Sequence, residues 1–251
     1  MSSVFIKTDA SNDQALLSQN IPDNSKPFLK IGEYLSFKIE LLGVAIGWIH
    51  LWIEEKTYFN DHLCYHIKAK AYTNRFFKKF YDVEYNVDTY IDAESFYPYQ
   101  FKKQRRLKQK ITSARIDFDW VKKTAVFVDE TSQLSHIINN LDYPLQDLLS
   151  SMYIFRLNPI KYNKNYRLRI LYNQNIWHIN IKTGSPQQLE IYRKGTFKVF
   201  PTEIATSLNR VILNTNKIQV YFTDDEKRIP ILFLIRLPYG QVKGKLFNIP
   251  K

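Results

Sequence analysis

The stretch Tyr81-Asp82-Val83-Glu84-Tyr85-Asn86-Val87-Asp88-Thr89-Tyr90-Ile91-Asp92 decides the fold. Tyr81, Val83, Tyr85, Val87 and Ile91 alternate with Asp82, Glu84, Asn86, Asp88 and Asp92, the period of two that leaves one face of a strand wet. Upstream, Leu63, Tyr65, Ile67, Ala69 and Ala71 oppose Cys64, His66, Lys68 and Lys70, and Phe37, Ile39 and Leu41 oppose Ser36, Lys38 and Glu40. Residues 44–53 are apolar on both faces, as expected of a central or wrapped strand. Further strands are expected around Phe101 and over 111–118, 125–128, 166–172, 176–181, 189–192, 197–205, 218–222, 229–237 and 242–247. That makes on the order of a dozen, the regime of antiparallel barrels and sandwiches. No strand–helix alternation of the Rossmann kind occurs, which argues against a parallel sheet.

Composition agrees. Seventeen Tyr, 17 Phe and 4 Trp in 251 residues suit pleated, half-buried surfaces. With only 7 Gly, turns must lean on Asn and Asp, as at Asn60-Asp61, Asn173-Gln174-Asn175 and Asn214-Thr215-Asn216. The single cysteine, Cys64, excludes an internal disulfide framework. A net charge of +12 implies affinity for anionic surfaces without choosing among nucleic acid, lipid head groups and acidic polysaccharide.

Residues 1–28 are polar and aperiodic and are expected to be a flexible tail, with one β-rich domain over 29–251, or two sub-sheets split near its middle. The tail lacks the apolar centre of a secretory signal. Residues 41–53 are too short to span a bilayer, so the chain is not expected to be transmembrane. Either Met1 is the true start and the protein is cytoplasmic, or a leader has been removed.

The strand pattern breaks once. Asp142 as N-cap, Pro144 in the first turn, and Leu145, Leu148, Leu149 and Met152 at helical spacing predict a helix over about 143–156, stopped by Asn158-Pro159. It is expected to plug an open end or seam. The expected fold is therefore all-β: antiparallel and barrel-like, or two curved packed sheets, with one central helix.

Four stretches carry a resemblance: Gly32-Glu33-Tyr34-Leu35-Ser36-Phe37 with Leu42-Gly43-Val44-Ala45-Ile46-Gly47; Pro144-Leu145-Gln146-Asp147-Leu148-Leu149-Ser150-Ser151-Met152-Tyr153; Gly195-Thr196-Phe197; and Phe222-Thr223-Asp224-Asp225-Glu226-Lys227-Arg228-Ile229-Pro230 with Leu237-Pro238-Tyr239-Gly240. In this order over about 30–247 the chain resembles the bacterial domain-of-unknown-function family 3108. The resemblance implies an exported, periplasmic or lipid-anchored protein of a Gram-negative-type cell with a β-barrel-like fold, and no catalytic residues. Its motif residues Pro144, Gln146, Asp147, Asp224, Asp225, Arg228, Pro230 and Gly240 are expected to be structural.

Three constellations bear on chemistry. His62, Cys64 and His66 share one strand face, but nearly 7 Å separates successive pairs and Lys68 and Lys70 share the face, so no metal site is expected. The same lysines and histidines could lower the Cys64 pKa, yet no oxyanion-hole motif accompanies it. Asp224, Asp225 and Glu226 lie where a hairpin turn is expected and read as acceptors for turn amides, with Arg228 as a partner. The densest charge is the run of Lys102, Lys103, Arg105, Arg106, Lys108 and Lys110, read as an exposed hairpin or as the binding site for an anionic ligand.

The function expected is therefore an envelope-associated binding or structural protein handling an amphiphile or polysaccharide. No cofactor or catalytic residue is expected. The partners expected are an anionic lipid, a polysaccharide or an envelope protein. Two alternatives stand beside it. One is a hydrolase in which Asp224, Asp225 and His50 or His178 converge. The other is a nucleic-acid binder acting through the basic hairpin, for which little else speaks.

Overall fold

The alternating segments pair with their chain neighbours, because short turns join antiparallel strands at the least cost in loop entropy. The computed structural model describes residues 14–16, 29–141, 145–191, 194–208, 211–212, 217–238 and 240–248. A short strand β1 (Gln14–Leu16) precedes a meander of β2 (Tyr34–Leu41), β3 (Val44–Phe59), β4 (His62–Thr73), β5 (Val83–Asp92), β6 (Pro98–Leu107), β7 (Lys110–Asp119), β8 (Thr124–Asp129) and β9 (Leu134–Ile138). After the helix α1 (Leu148–Leu157) come β10 (Asn165–Tyr172), β11 (Asn175–Thr183), β12 (Gln187–Ile191), β13 (Gly195–Leu208), β14 (Val211–Ile212), β15 (Lys217–Thr223), β16 (Pro230–Leu237) and β17 (Gly240–Asn248).

The first and last long strands join the two halves. β17 pairs antiparallel with β2, Gly244 opposite Ile39 and Leu246 opposite Phe37, so all described strands belong to one 17-stranded sheet. The sheet does not close: β9 ends it on one side, and β1, parallel to β10, on the other. Expected turn residues Asn60, Asp61 and Asn173 have φ of 48°, 65° and 55°, the left-handed region that Asn and Asp tolerate. Asn214-Thr215-Asn216, Tyr239 and, β1 apart, the expected tail lie outside the described residues.

One face of the sheet is dry. Leu35, Phe37, Ile53, Ile67, Ile91, Phe101 and Ile116 are almost wholly buried there, and Tyr153, Ile154, Phe155 and Leu157 of α1 pack into the same core. Pairing puts Ile53, Ile67 and Thr89 side by side, and Ile53 N–H donates to the Glu33 carbonyl at 3.0 Å. The helix begins against Thr89 and ends against Glu33, so it lies across the strands as a floor at one end of the concave face.

The helix start differs from expectation. It begins at Leu148, not near 143, and its N-cap is Asp147, whose carboxylate accepts from the amides of Leu149 (2.6 Å) and Ser150 (2.8 Å). Gln146, just before it, is not helical because β10 satisfies its backbone. Gln146 N–H donates to the Arg169 carbonyl at 2.9 Å, and the Gln146 carbonyl accepts from Leu171 N–H at 2.8 Å. Asp142 and Pro144 lie outside the described residues. The helix ends where expected: Asn158 is the C-cap and its side-chain amide donates to the Ile154 carbonyl at 2.7 Å.

Candidate functional site

Inward-pointing residues of the second half of the sheet do not fill the space above α1. A cavity of ≈ 240 Å³ remains, walled by Met152 and Phe155 of the helix and by Leu168, Ile181, Val220 and Phe233 of the strands, among others. Its two hydroxyl side chains are occupied: Ser151 donates to the Leu148 carbonyl at 2.8 Å and Thr202 to the Val220 carbonyl at 3.0 Å. The wall therefore suits an apolar group, since nothing in it asks for a polar partner. From the sequence alone, an apolar ligand could be placed only in a barrel interior or in a groove beside the helix. The lining comes from β2, β3 and five strands of the second half, which no local pattern brings together.

The basic run is divided by the pleat. Alternation along β6 turns Lys102 and Arg106 to the outer face and Lys103 and Arg105 to the concave face with Phe101. On the outside, Lys102 lies 3.6 Å from Glu130, and Arg106 lies 2.8 Å from Asp82 and 3.1 Å from Glu84. Hydrogen bonds from Lys70 and then Arg106 bring the Glu84 carboxyl down to about 2, against the effect of partial burial. Inside, the Lys103 ammonium stands 4.4 Å from the Tyr172 ring centroid and donates to Asn173 Oδ1, while the Arg105 guanidinium lies 5.6 Å from the centroid of Tyr85. These residues, with Thr112 and Asp129, line a second, polar cavity of ≈ 400 Å³. Lys108 and Lys110 are exposed at the β6–β7 turn. The six expected ligand residues thus occupy three places rather than one.

The helix is tied at both ends by buried polar groups. At its start, Thr89 Oγ1 lies 2.6 Å from Asp147 Oδ2. Burial raises the Asp147 pKa even though this contact and the two cap amides favour its anion. At its end, Arg156 donates from Nη1 and Nη2 to the two Glu33 oxygens, both at 2.7 Å, and from Nε to the Lys227 carbonyl at 3.2 Å. The Arg156 carbonyl accepts from Arg228 Nη1 at 2.7 Å. Arg228 thus bonds the helix end, not the side chain of an acidic neighbour. Asp225 accepts from the Arg228 amide at 3.0 Å and from Thr223 at 2.8 Å. Pro230 opens β16 opposite Phe222, and Gly240 turns into β17 with φ of 144°.

The family described as a protein of unknown function, DUF3108, matches residues 35–246. The chain belongs to the DUF3108 family. No curated protein matches it. Among solved structures, the β-barrel-like DUF1849 protein of Brucella abortus aligns with a TM-score of 0.59 at 10% identity, over 88% of this chain and 97% of that one, and shares its fold. A protein of Bacteroides fragilis described as exported, with a YmcC-like fold, aligns at a TM-score of 0.32 and 11% identity, over 88% of this chain and 97% of that one. A Parabacteroides distasonis protein described as a lipoprotein aligns at 0.33 and 10%, over 87% and 94%.

Among the described residues of this DUF3108 chain, the remaining candidates lie in separate places. The hydrolase arrangement is absent: Asp224, Asp225, Glu226 and Arg228 line a cavity of ≈ 240 Å³ to which neither His50 nor His178 contributes. Asp224 is held by Lys198 at 2.7 Å and by the Tyr162 hydroxyl. His50 stacks on Tyr34 and Trp48, on the face of β3 opposite Leu51, and its Nε2 lies 3.2 Å from the Tyr72 hydroxyl. His178 lies in β11, where burial and then Arg167 and Arg169 lower its pKa. His62 stacks on Tyr99 and His66 pairs with Asp88 at 3.0 Å, so the two histidines have separate partners. No helix among the described residues is long and apolar enough to cross a membrane.

The expected lowering of the Cys64 pKa is reversed. The side chain is fully buried, and burial together with Asp92 pushes the thiol up to about 12. Iodoacetamide at pH 8 is accordingly expected to leave the native protein unmodified and to add one carbamidomethyl group after unfolding in guanidinium. Mass spectrometry reads both states, and rapid native alkylation would contradict the buried placement.

Proposed function

We propose that this DUF3108 protein is a non-enzymatic binding protein of the cell envelope, and that its concave face holds the apolar chain of an amphiphile. The observation that carries this reading is the cavity above α1, whose walls are apolar and whose two hydroxyls are already satisfied. An apolar cavity of about 150 Å³ takes up benzene, about 25 Å³ per carbon, so this one has room for roughly ten chain carbons. The envelope placement is what the family resemblance implies. The nucleic-acid reading loses support because Lys102 and Arg106, on the outer face, already meet carboxylates and have less charge to offer phosphates.

The test is saturable binding of the neutral fluorophore N-phenyl-1-naphthylamine to the full chain, with displacement by decanol. Binding with an increase in melting temperature is expected, and Met152→Trp, which fills the cavity wall, is expected to weaken it tenfold or more. An absence of saturable binding, or an undiminished affinity in a folded Met152→Trp protein, would overturn the reading.

A further inference from the structure

We propose that Lys103 and Arg105 are the head-group site of the same binding face, taking one carboxylate or phosphate group while the attached chain lies in the apolar cavity. This rests on the binding reading above and adds the ligand's chemical class: an anionic amphiphile with a single head group.

Pairing separates these two cations from the rest of the run. Lys103 lies opposite Ala114 and Arg105 opposite Thr112 on the concave side of β6 and β7. Their outer neighbours Lys102 and Arg106 meet carboxylates, whereas Lys103 bonds a neutral amide and Arg105 rests on a tyrosine ring with its Nε buried and unpartnered. The cavity also carries a carboxylate, Asp129, which forms no ion pair with Lys103 or Arg105; its Oδ1 accepts from the Thr131 and Ser132 amides at 2.9 and 3.1 Å, which lowers its pKa. Two cations set on aromatic faces, with no carboxylate among the described residues in ion-pair contact, are arranged for an anion from outside.

The two cavities are joined by one strand. Tyr172, under Lys103, and Leu168, in the apolar wall, point to the same side of β10, four residues apart. At about 3.3 Å per residue the separation is ~13 Å. A head group above Tyr172 and a chain beside Leu168 therefore fit within one molecule of medium chain length. The ring of Phe101, 6.3 Å from that of Tyr172, is buried in the core beside it.

The experiment compares decanoate, decyl phosphate, decanol and inorganic phosphate by calorimetry on the full chain. The wild type is expected to bind both anionic amphiphiles at least tenfold tighter than decanol. Lys103→Gln/Arg105→Gln is expected to bring them to the level of decanol and to leave decanol unchanged, while Lys102→Gln/Arg106→Gln, on the outer face, leaves all three unchanged. Lys103→Met keeps the packing on Tyr172 and is expected to lose part of the anionic preference, so it reads the same effect should the double variant not fold. Equal affinity for decanoate and decanol, or an equal loss in the outer-face variant, overturns the inference and leaves the binding reading intact. Failure of decanol to bind overturns the binding reading and this inference with it. Inorganic phosphate binding as tightly as decyl phosphate would make the cations a free-anion site and overturn the head-group assignment.

Discussion

Replacing Arg156 with alanine is expected to cost about 3–5 kcal/mol of folding stability, seen as a large fall in the urea midpoint. Arg156 is 3% exposed and Glu33 8%, and their fork-to-fork contact has both distances at 2.7 Å. Burial alone would lower the Arg156 pKa, but the hydrogen bonds and charge of Glu33 reverse this and hold it above its ordinary value, so the guanidinium stays charged throughout the accessible pH range. Removing it strands a carboxylate in the core and frees the Lys227 carbonyl. It also detaches the end of α1 from the chain entering β2. The pair spans 123 residues, so it is a fastening between the middle and the beginning of the chain. Glu33→Gln/Arg156→Met, which removes both charges and keeps their bulk, is expected to be more stable than Arg156→Ala. Strict additivity of the single substitutions in a double-mutant cycle would show that the contact does not couple the two residues.

The second large effect is expected at Gly244. It faces Phe233 across β16 and β17, and a Cβ there would lie 2.0 Å from the ring. The ring covers the bare backbone, packs on Phe37 with centroids 5.6 Å apart, and forms part of the cavity wall. Gly244→Val must displace it, at a cost of about 1–3 kcal/mol for overpacking. The displaced ring has the cavity to move into, so binding of the neutral fluorophore is expected to fall with stability. Phe233→Ala in the Gly244→Val protein removes the overlap and is expected to restore part of the lost stability. A Gly244→Val protein with unchanged melting temperature and unchanged binding would refute the packing described for this wall.

Legibility in the sequence followed the range of the interaction. The strand around Tyr85 and Thr89 was plain because its alternation is local, and the stop at Asn158-Pro159 was plain because its chemistry is local too. The start of α1 was misplaced because Gln146 takes its backbone partners from β10, more than twenty residues downstream. Arg156 carried a readable signal: it shares the spacing of Leu149, Tyr153 and Leu157, and a cation on a buried face demands a partner. Nothing in the sequence named Glu33 as that partner. The pleat that separates Lys103 and Arg105 from Lys102 and Arg106 was implicit in strand periodicity. Which pair faced inward depended on the register of β6 against β5 and β7.

By itself the amino-acid sequence determined a nearly all-β chain, one helix near its middle and membership in the DUF3108 family, because side-chain alternation, caps and short motifs act over a few residues. Only the tertiary structure decided that β17 pairs with β2, that the helix lies across the strands, and that an apolar cavity and two inward cations share one concave face. Those features depend on register and on contacts between residues far apart in the chain, such as Glu33 with Arg156 and Lys103 with Asn173. They exist only when many strands have paired at once, since no single strand has a concave side.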